Sequence, residues 1–282
     1  MAVVITEYTD PGCPWAYSAE PFRRRLMWLY GDAIRWRRRM VVLAEDPQEY
    51  LDEGITPEKL SKGLTQIARD HGMPIDTSLR PRMAATVPAC RAVVAARLHW
   101  PHAEEALLRS FRLRAMRGEL LDEESTVHGA AADAGLDPAQ LDGWSAGDDV
   151  EQAMREDMAA AREPSCAARV LDERLANWSG GSRYTCPSYE ILRGHDEVQI
   201  AVPGFQPFAA YDVVLANLVP GLDRRDPPGS VREVLEWAGE PLASREVAVV
   251  MDVDHATARE ELGRVADEEH VGADGLWSLL AA

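Results

Sequence analysis

Thr9-Asp10-Pro11-Gly12-Cys13-Pro14-Trp15-Ala16-Tyr17 decides how the rest of this 282-residue chain is read. The stretch follows a short apolar run, Val3-Val4-Ile5, and precedes a helical pattern that puts Phe22, Leu26 and Leu29 on one face. It therefore reads as the turn between a first strand and a first helix. A cysteine in such a turn lies at a helix N-terminus, where free backbone N–H groups and the helix dipole favour a thiolate. Pro14 suits the first helical turn, because its missing N–H would have had no partner there. Cys13 is the first candidate nucleophile; an inert buried thiol is the competing reading.

Outward from this turn, the pattern predicts a strand over residues 2–8, a helix over 14–30 and a second strand over 33–43. In that second strand Ile34, Trp36 and Arg38 alternate with Arg35, Arg37 and Arg39. The arginines read as a solvated strand face and not as a nucleic-acid patch. Residues 57–178 are helical in pattern almost throughout, with segments expected near 57–71, 88–99, 102–117, 123–134, 138–144, 148–162 and 164–178. Two alternating runs, 188–192 and 198–202, flank Arg193-Gly194-His195-Asp196 and predict a hairpin, which a helix from Phe208 to Leu218 follows. The resulting order is strand, helix, strand, helical block, hairpin, helix, an α/β pattern.

Residues 221–230 are rich in Pro, Gly and Asp and read as a linker. After them come three short helical segments, with Ser244 and Asp254 as expected N-caps of the second and third. A hairpin with its turn at Asp274-Gly275 follows. The 231–282 segment is similar to a winged-helix module. Its twelve acidic residues against four arginines, with Glu260 and Glu261 on the would-be recognition helix, argue against DNA. A protein contact, including a homodimer, or a cover over the main domain is expected instead.

The active turn resembles that of the DsbA family, closest to its cytoplasmic FrnE-like branch, where a Cys-Pro-Trp-Cys motif follows Asp-Pro. Asp10, Pro11, Cys13, Pro14 and Trp15 match; Ala16 stands where the family has its second, resolving cysteine. The resemblance implies a thioredoxin-like fold over residues 1–220 with a large all-helical insertion at about 57–178, followed by the small winged-helix-like domain. Thr185-Cys186-Pro187-Ser188 matches the loop that carries a cis-proline facing the nucleophile. The resemblance thus puts Cys186 beside Cys13, either as a replacement resolving thiol or as a small apolar filler. Residues 83–91 resemble the start of the helix bordering the site. There Thr86 is expected to cap the helix, and Cys90 is a second candidate partner for Cys13. Pro14, Trp15, Tyr17, Thr86, Cys90, Thr185 and Pro187 are the expected substrate-binding residues, with Phe205 a weaker one. Cys166 is expected to be a structural residue of an Ala-rich helix.

Composition narrows the function classes. The net charge of −17 disfavours nucleic acid and anionic membranes as partners. No run is long and apolar enough for a bilayer span, and Glu7 and Asp10 interrupt any signal-peptide core, so a cytoplasmic location is expected. The four cysteines and seven histidines show no metal-ligand spacing. Three readings stay open. The first is a single-motif-cysteine thiol–disulfide oxidoreductase acting on a protein or small-molecule thiol or disulfide. It needs no cofactor beyond a thiol co-substrate such as glutathione or mycothiol. The second is a redox-inactive interaction protein. The third is a thiol-dependent isomerase of the 2-hydroxychromene-2-carboxylate isomerase type, which calls for a deep apolar pocket beside Cys13.

Overall fold

The computed structural model describes residues 3–178, 180–194, 196 and 198–280. The chain opens with β1 (Val3–Thr9), α1 (Pro14–Ser18), α2 (Glu20–Tyr30) and β2 (Ile34–Met40). A helical block follows: α3 (Pro47–Asp52), α4 (Pro57–His71), α5 (Val87–His99), α6 (Glu104–Met116), α7 (Glu124–Asp133), α8 (Pro138–Ser145), α9 (Asp148–Arg162) and α10 (Cys166–Arg169). Then come β3 (Ala176–Trp178), β4 (Gly181–Arg183), β5 (Ser188–Arg193), β6 (Gln199–Val202) and α11 (Phe208–Leu218). The chain ends with α12 (Val231–Ala238), β7 (Leu242–Ala243), α13 (Ser244–Met251), α14 (His255–Leu262), β8 (Ala266–Val271) and β9 (Asp274–Leu279).

The main sheet runs β2-β1-β5-β6. β1 and β2 are parallel, joined through α1 and α2, and β5 and β6 are antiparallel to their neighbours. This is the thioredoxin-like βαβ…ββα order, with the helical block inserted between β2 and β5. The strands carry Val3, Ile5, Ile34 and Ile191 into a core closed by Leu26, Tyr211 and Leu215. The helical block has its own core, in which Val93, Val94, Leu107, Leu108, Phe111 and Leu141 are buried.

β1 also buries polar groups, because arginines meet them there. Glu7 accepts from Arg112 at 2.8 Å, and Arg112 also bonds Thr9 and Glu20. Arg23 bridges Glu20 and Glu105 at 2.7 and 2.6 Å. Arg38 alternates onto the same strand face as Ile34 and Trp36. It is buried and pairs with Glu104 and Glu105 at 3.2 and 2.8 Å, while Arg35 and Arg37 are exposed as expected. A buried charge is tolerable only with such partners.

The C-terminal domain is three helices with a three-stranded sheet, order β7-β9-β8. It packs on the main domain: Trp28 of α2 enters its core beside Val231, Leu235 and Val247. Arg109 reaches Glu246 at 2.6 Å, and Arg24 pairs with Glu240. The turn of its hairpin presses on Ile75, where a Cβ on Gly272 would meet the carbonyl oxygen at 2.0 Å. The 221–230 segment is anchored too, by Arg225 N–H donating to the Leu29 carbonyl at 2.8 Å and Trp28 Nε1 to that of Asp226 at 2.9 Å.

Several local expectations need correction. The helix over 14–30 breaks at Ala19 into α1 and α2. Residues 164–178 form only the short α10 before the β3–β4 hairpin, whose strands pair from Ala176–Arg183 to Trp178–Gly181. Past Ala168 the chain leaves the helix: Val170 and Leu171 are exposed, and Leu175 packs beside Ala168 and Tyr184 only after a turn at Asp172–Arg174. Cys166 is exposed on α10 and not packed in a long helix. The tail hairpin turns at Gly272-Ala273, not Asp274-Gly275. Asp274 is instead buried at the start of β9, bonded by Ser244 Oγ at 2.8 Å, by His255 at 3.1 Å and by Arg259. That bond also takes Ser244 away from the expected cap; it is the first residue inside α13. Asp254 does cap α14, accepting from Thr257 N–H at 2.9 Å. Of the β5–β6 turn, His195 lies outside the described residues.

Candidate active site

Cys13 is the residue before α1, with extended backbone (φ −79°, ψ 114°) and Pro14 opening the helix. The residue is buried, 4% exposed. The Cys186–Pro187 peptide is cis and brings Cys186 against it, with Cys13 Sγ 3.3 Å from the Cys186 carbonyl oxygen. The Cys13 thiol titrates below the ordinary thiol range. A hydrogen bond from the Cys186 thiol is the main cause; it outweighs burial, and the N–H groups of Ala16 and Trp15 add to it. The Cys186 thiol is pushed the other way, well up, by burial and by the neighbouring Cys13 sulfur. The two neighbouring thiols are therefore shifted in opposite directions, Cys13 toward the thiolate and Cys186 toward the thiol. Both are free.

Asp10 is the hub of the turn. Fully buried, its carboxylate accepts from Gly12 N–H at 2.7 Å, Leu43 N–H at 2.8 Å, Thr86 Oγ1 at 2.8 Å and Cys90 Sγ at 3.5 Å. Thr86 thus does not cap α5 with its side chain as expected. Its hydroxyl instead ties the helix start to the active turn, while accepting from Leu43 N–H at 3.1 Å. Val42, a buried β-branched residue at φ +56°, turns the chain so that Leu43 faces Asp10. Cys90 points at the carboxylate and not at Cys13, and burial together with Asp10 pushes its thiol well up. Cys90 is a packed cysteine of α5 whose side-chain bond goes to Asp10.

The remaining expected residues divide. Trp15 is exposed beside the turn and meets His71 and Phe205 edge-on, with ring centroids 5.1 and 5.6 Å apart. His71 and Phe205 also touch, at 4.5 Å. Burial lowers the His71 pKa, which keeps the ring neutral in this aromatic wall. Tyr17 does not line the groove. It is buried among Leu64, Ile67 and Met73, because α1 turns that face toward α4. Thr185 donates its hydroxyl to the Arg174 carbonyl at 2.9 Å and lies 3.3 Å from Ser188 Oγ. Pro187 is buried in its loop.

Sequence reasoning missed Tyr50 of α3. Its phenol is within electrostatic reach of Asp10, Cys13, Cys90 and Cys186, and burial together with these groups raises its pKa. It lines a cavity of about 200 Å³ with Gly12, Pro14, Leu43 and Thr86. A capping box at Asp46 and Glu49, with Pro47 between them, was the available signal for α3.

The family model for the DSBA-like thioredoxin domain matches residues 4–167, more than half of the chain. The chain belongs to the DSBA-like thioredoxin domain family. This DsbA-like chain is similar in structure to the cytosolic disulfide reductase DsbM from Pseudomonas aeruginosa, with a TM-score of 0.54 and 19% identity over 77% of this chain and 100% of that one. A probable DsbA oxidoreductase from Streptomyces coelicolor gives a TM-score of 0.54 at 17% identity, covering 80% and 100%. In sequence it is 26% identical over 270 residues to the ClpXP adapter protein SpxH of Halalkalibacterium halodurans, covering 93% of this chain and 82% of that protein. Among the described residues no helix is long and apolar enough to cross a membrane, and no cluster of His, Cys, Asp and Glu could hold a metal ion.

Proposed function

We propose that the chain is a cytoplasmic thiol–disulfide exchange protein in which Cys13 is the nucleophile and Cys186 replaces the resolving cysteine that Ala16 displaces. The 3.3 Å approach of Cys13 Sγ to the Cys186 backbone, with thiol acidities moved in opposite directions, carries this reading. The Cys13 thiolate attacks one sulfur of a disulfide R–S–S–R′, forms Cys13–S–S–R and releases R′–S⁻. Cys13 has then lost its charge, which removes one cause of the raised Cys186 pKa. Cys186 attacks the Cys13 sulfur, its proton passes to the departing R–S⁻, and a Cys13–Cys186 disulfide remains. Two equivalents of a small thiol such as glutathione or mycothiol return the pair to its reduced form. The structural neighbour DsbM has also been solved with GSH, which supports a small thiol as the reductant. Steady-state reduction of a small disulfide tests the scheme. Wild type turns over, Cys186→Ala stalls as a mixed disulfide, and Cys13→Ser is inactive; a Cys186→Ala variant with wild-type turnover would replace Cys186 by the small thiol as resolver.

A second reading is a protein-binding adapter, in which the thiols are secondary. The similarity to SpxH favours it, because it extends over 93% of the chain and so reaches into the C-terminal domain. A Cys13→Ser, Cys186→Ala double variant separates the two. Full complementation of a deletion strain by that variant supports the adapter, and loss of complementation supports the exchange site.

A further inference from the structure

Two tyrosines pack in the same buried cluster as Cys13 and Cys186, and the exchange scheme makes no use of them. Tyr8 is in β1, the strand that leads into the Cys13 turn, and Tyr184 is in the loop that leads to Cys186. Their rings are stacked, with centroids 4.0 Å apart and planes 22° from parallel. Glu190 of β5 is opposite Thr6 in the ladder, so its side chain is on the sheet face that carries Tyr8. One carboxylate oxygen accepts from Tyr184 Oη and the other from Tyr8 Oη at 3.1 Å. Burial, reinforced by Glu190, raises both phenol pKa values, that of Tyr184 to about 12, so both hydroxyls keep their protons at neutral pH. Other bonds of the loop go elsewhere: Tyr184 N–H to the Ala161 carbonyl at 2.9 Å, Thr185 Oγ1 to that of Arg174, and Ser188 Oγ to that of Thr185 at 2.7 Å. The ring stack and the shared carboxylate join this loop to the strand that leads to the other thiol.

We propose that Glu190 is a positioning residue for the exchange reaction: through Tyr8 and Tyr184 it holds the Cys186 loop against the Cys13 turn. This rests on the reading of Cys13 and Cys186 as an exchanging pair. The Cys13 sulfur and the Cys186 carbonyl oxygen are 3.3 Å apart, and a displacement of about 1 Å costs a reacting pair roughly 10²-fold. Hydrogen bonds to a carboxylate are roughly twice as strong as neutral ones, so an acceptor that takes both hydroxyls is suited to hold two chain segments in register. Without it the rings can still stack, but the hydroxyls lose their common acceptor and the loop can shift relative to the turn.

The test measures the Cys13–Cys186 disulfide in glutathione redox buffers, and separately the pH profile of Cys13 alkylation by iodoacetamide. In Glu190→Ala the equilibrium constant for the disulfide falls by roughly 10-fold, which makes the pair more oxidising by about 30 mV. The alkylation profile of that variant moves to higher pH, because a displaced Cys186 thiol supports the Cys13 thiolate less well. Tyr184→Phe keeps the ring stack and loses the bond to Glu190. It moves both readouts in the same direction, and it guards against a Glu190→Ala chain that does not fold. Glu190→Gln keeps one acceptor oxygen and restores most of the wild-type equilibrium. Thermal unfolding identifies the folded variants. Folded Glu190→Ala and Tyr184→Phe proteins with the wild-type equilibrium constant and alkylation profile, whatever their stability, overturn the proposal. A wild type that forms no Cys13–Cys186 disulfide in any buffer overturns the exchange reading instead. The alkylation profile then decides the positioning role alone: moved in both variants it stands, unmoved it falls.

Discussion

Two buried thiols stand on either side of the Asp10 turn, and equal burial gives them opposite chemistry. Cys13 receives hydrogen bonds from the Cys186 thiol and from two backbone N–H groups, and its thiolate is favoured. Cys90 faces the Asp10 carboxylate, and its thiolate is opposed. Burial raises both pKa values alike. The polarity of the nearest partner decides between a nucleophile and a core residue. Asp10 serves both sides: its Gly12 bond shapes the turn that presents Cys13, and its carboxylate adds to burial in pushing the Cys90 thiol up.

The largest test of this contrast exchanges the thiols themselves. Cys13→Ser is expected to abolish the fast phase of alkylation at neutral pH, and Cys90→Ser to leave it intact, read by mass spectrometry of quenched samples. The reverse pattern would invert the assignment. Next in size is the hub. Asp10→Ala leaves Thr86, Leu43 and Gly12 without their buried acceptor. It is expected to cost about 1–3 kcal/mol per donor left unmet, seen as a lower midpoint in denaturant. It should also let Cys90 titrate at lower pH than in wild type. An unchanged midpoint would remove Asp10 from its central place.

A smaller effect follows from Cys186→Ala. Loss of the thiol donor raises the Cys13 pKa, so the pH profile of alkylation moves to higher pH; an unmoved profile would leave the helix N–H groups as the whole cause. The smallest effect is an acid-stability difference. Burial raises the Glu105 carboxyl, but Arg23 and Arg38 overcome it and hold the pKa at about 2. Its unfolded value is about 4.3, so the stability it contributes is complete above that pH and is lost as pH falls toward 2. Glu105→Gln should flatten unfolding free energy against pH in that window. Unlike Asp10, which is met by neutral donors, Glu105 is met by arginines, and the two acids separate those kinds of support.

What the chain revealed in advance follows the range of each interaction. Cys13, Pro14 and the loop at Pro187 were legible because strand–turn–helix chemistry is local, and the cis bond falls where the matched motif put it. Thr86 and Cys90 were recognised as bordering the site, yet their roles were not, because their common partner Asp10 is 76 and 80 residues away. Tyr17 was misplaced because apolar periodicity says that a helix face is buried and not against which neighbour. The β3–β4 hairpin escaped notice because its strands have three residues each; the Gly180-Gly181 pair was its signal. In the tail, Asp274-Gly275 has the composition of a hairpin turn, but Arg259, His255 and Ser244 draw Asp274 into the core and the turn moves to Gly272.

The most direct measurement is peptide mapping of the protein after mild oxidation under native conditions, with the remaining thiols alkylated. A single disulfide linking Cys13 to Cys186, with Cys90 and Cys166 recovered as free thiols, is the expected result. Cys13 recovered free, or linked to any other cysteine, would contradict the pairing on which the exchange site rests.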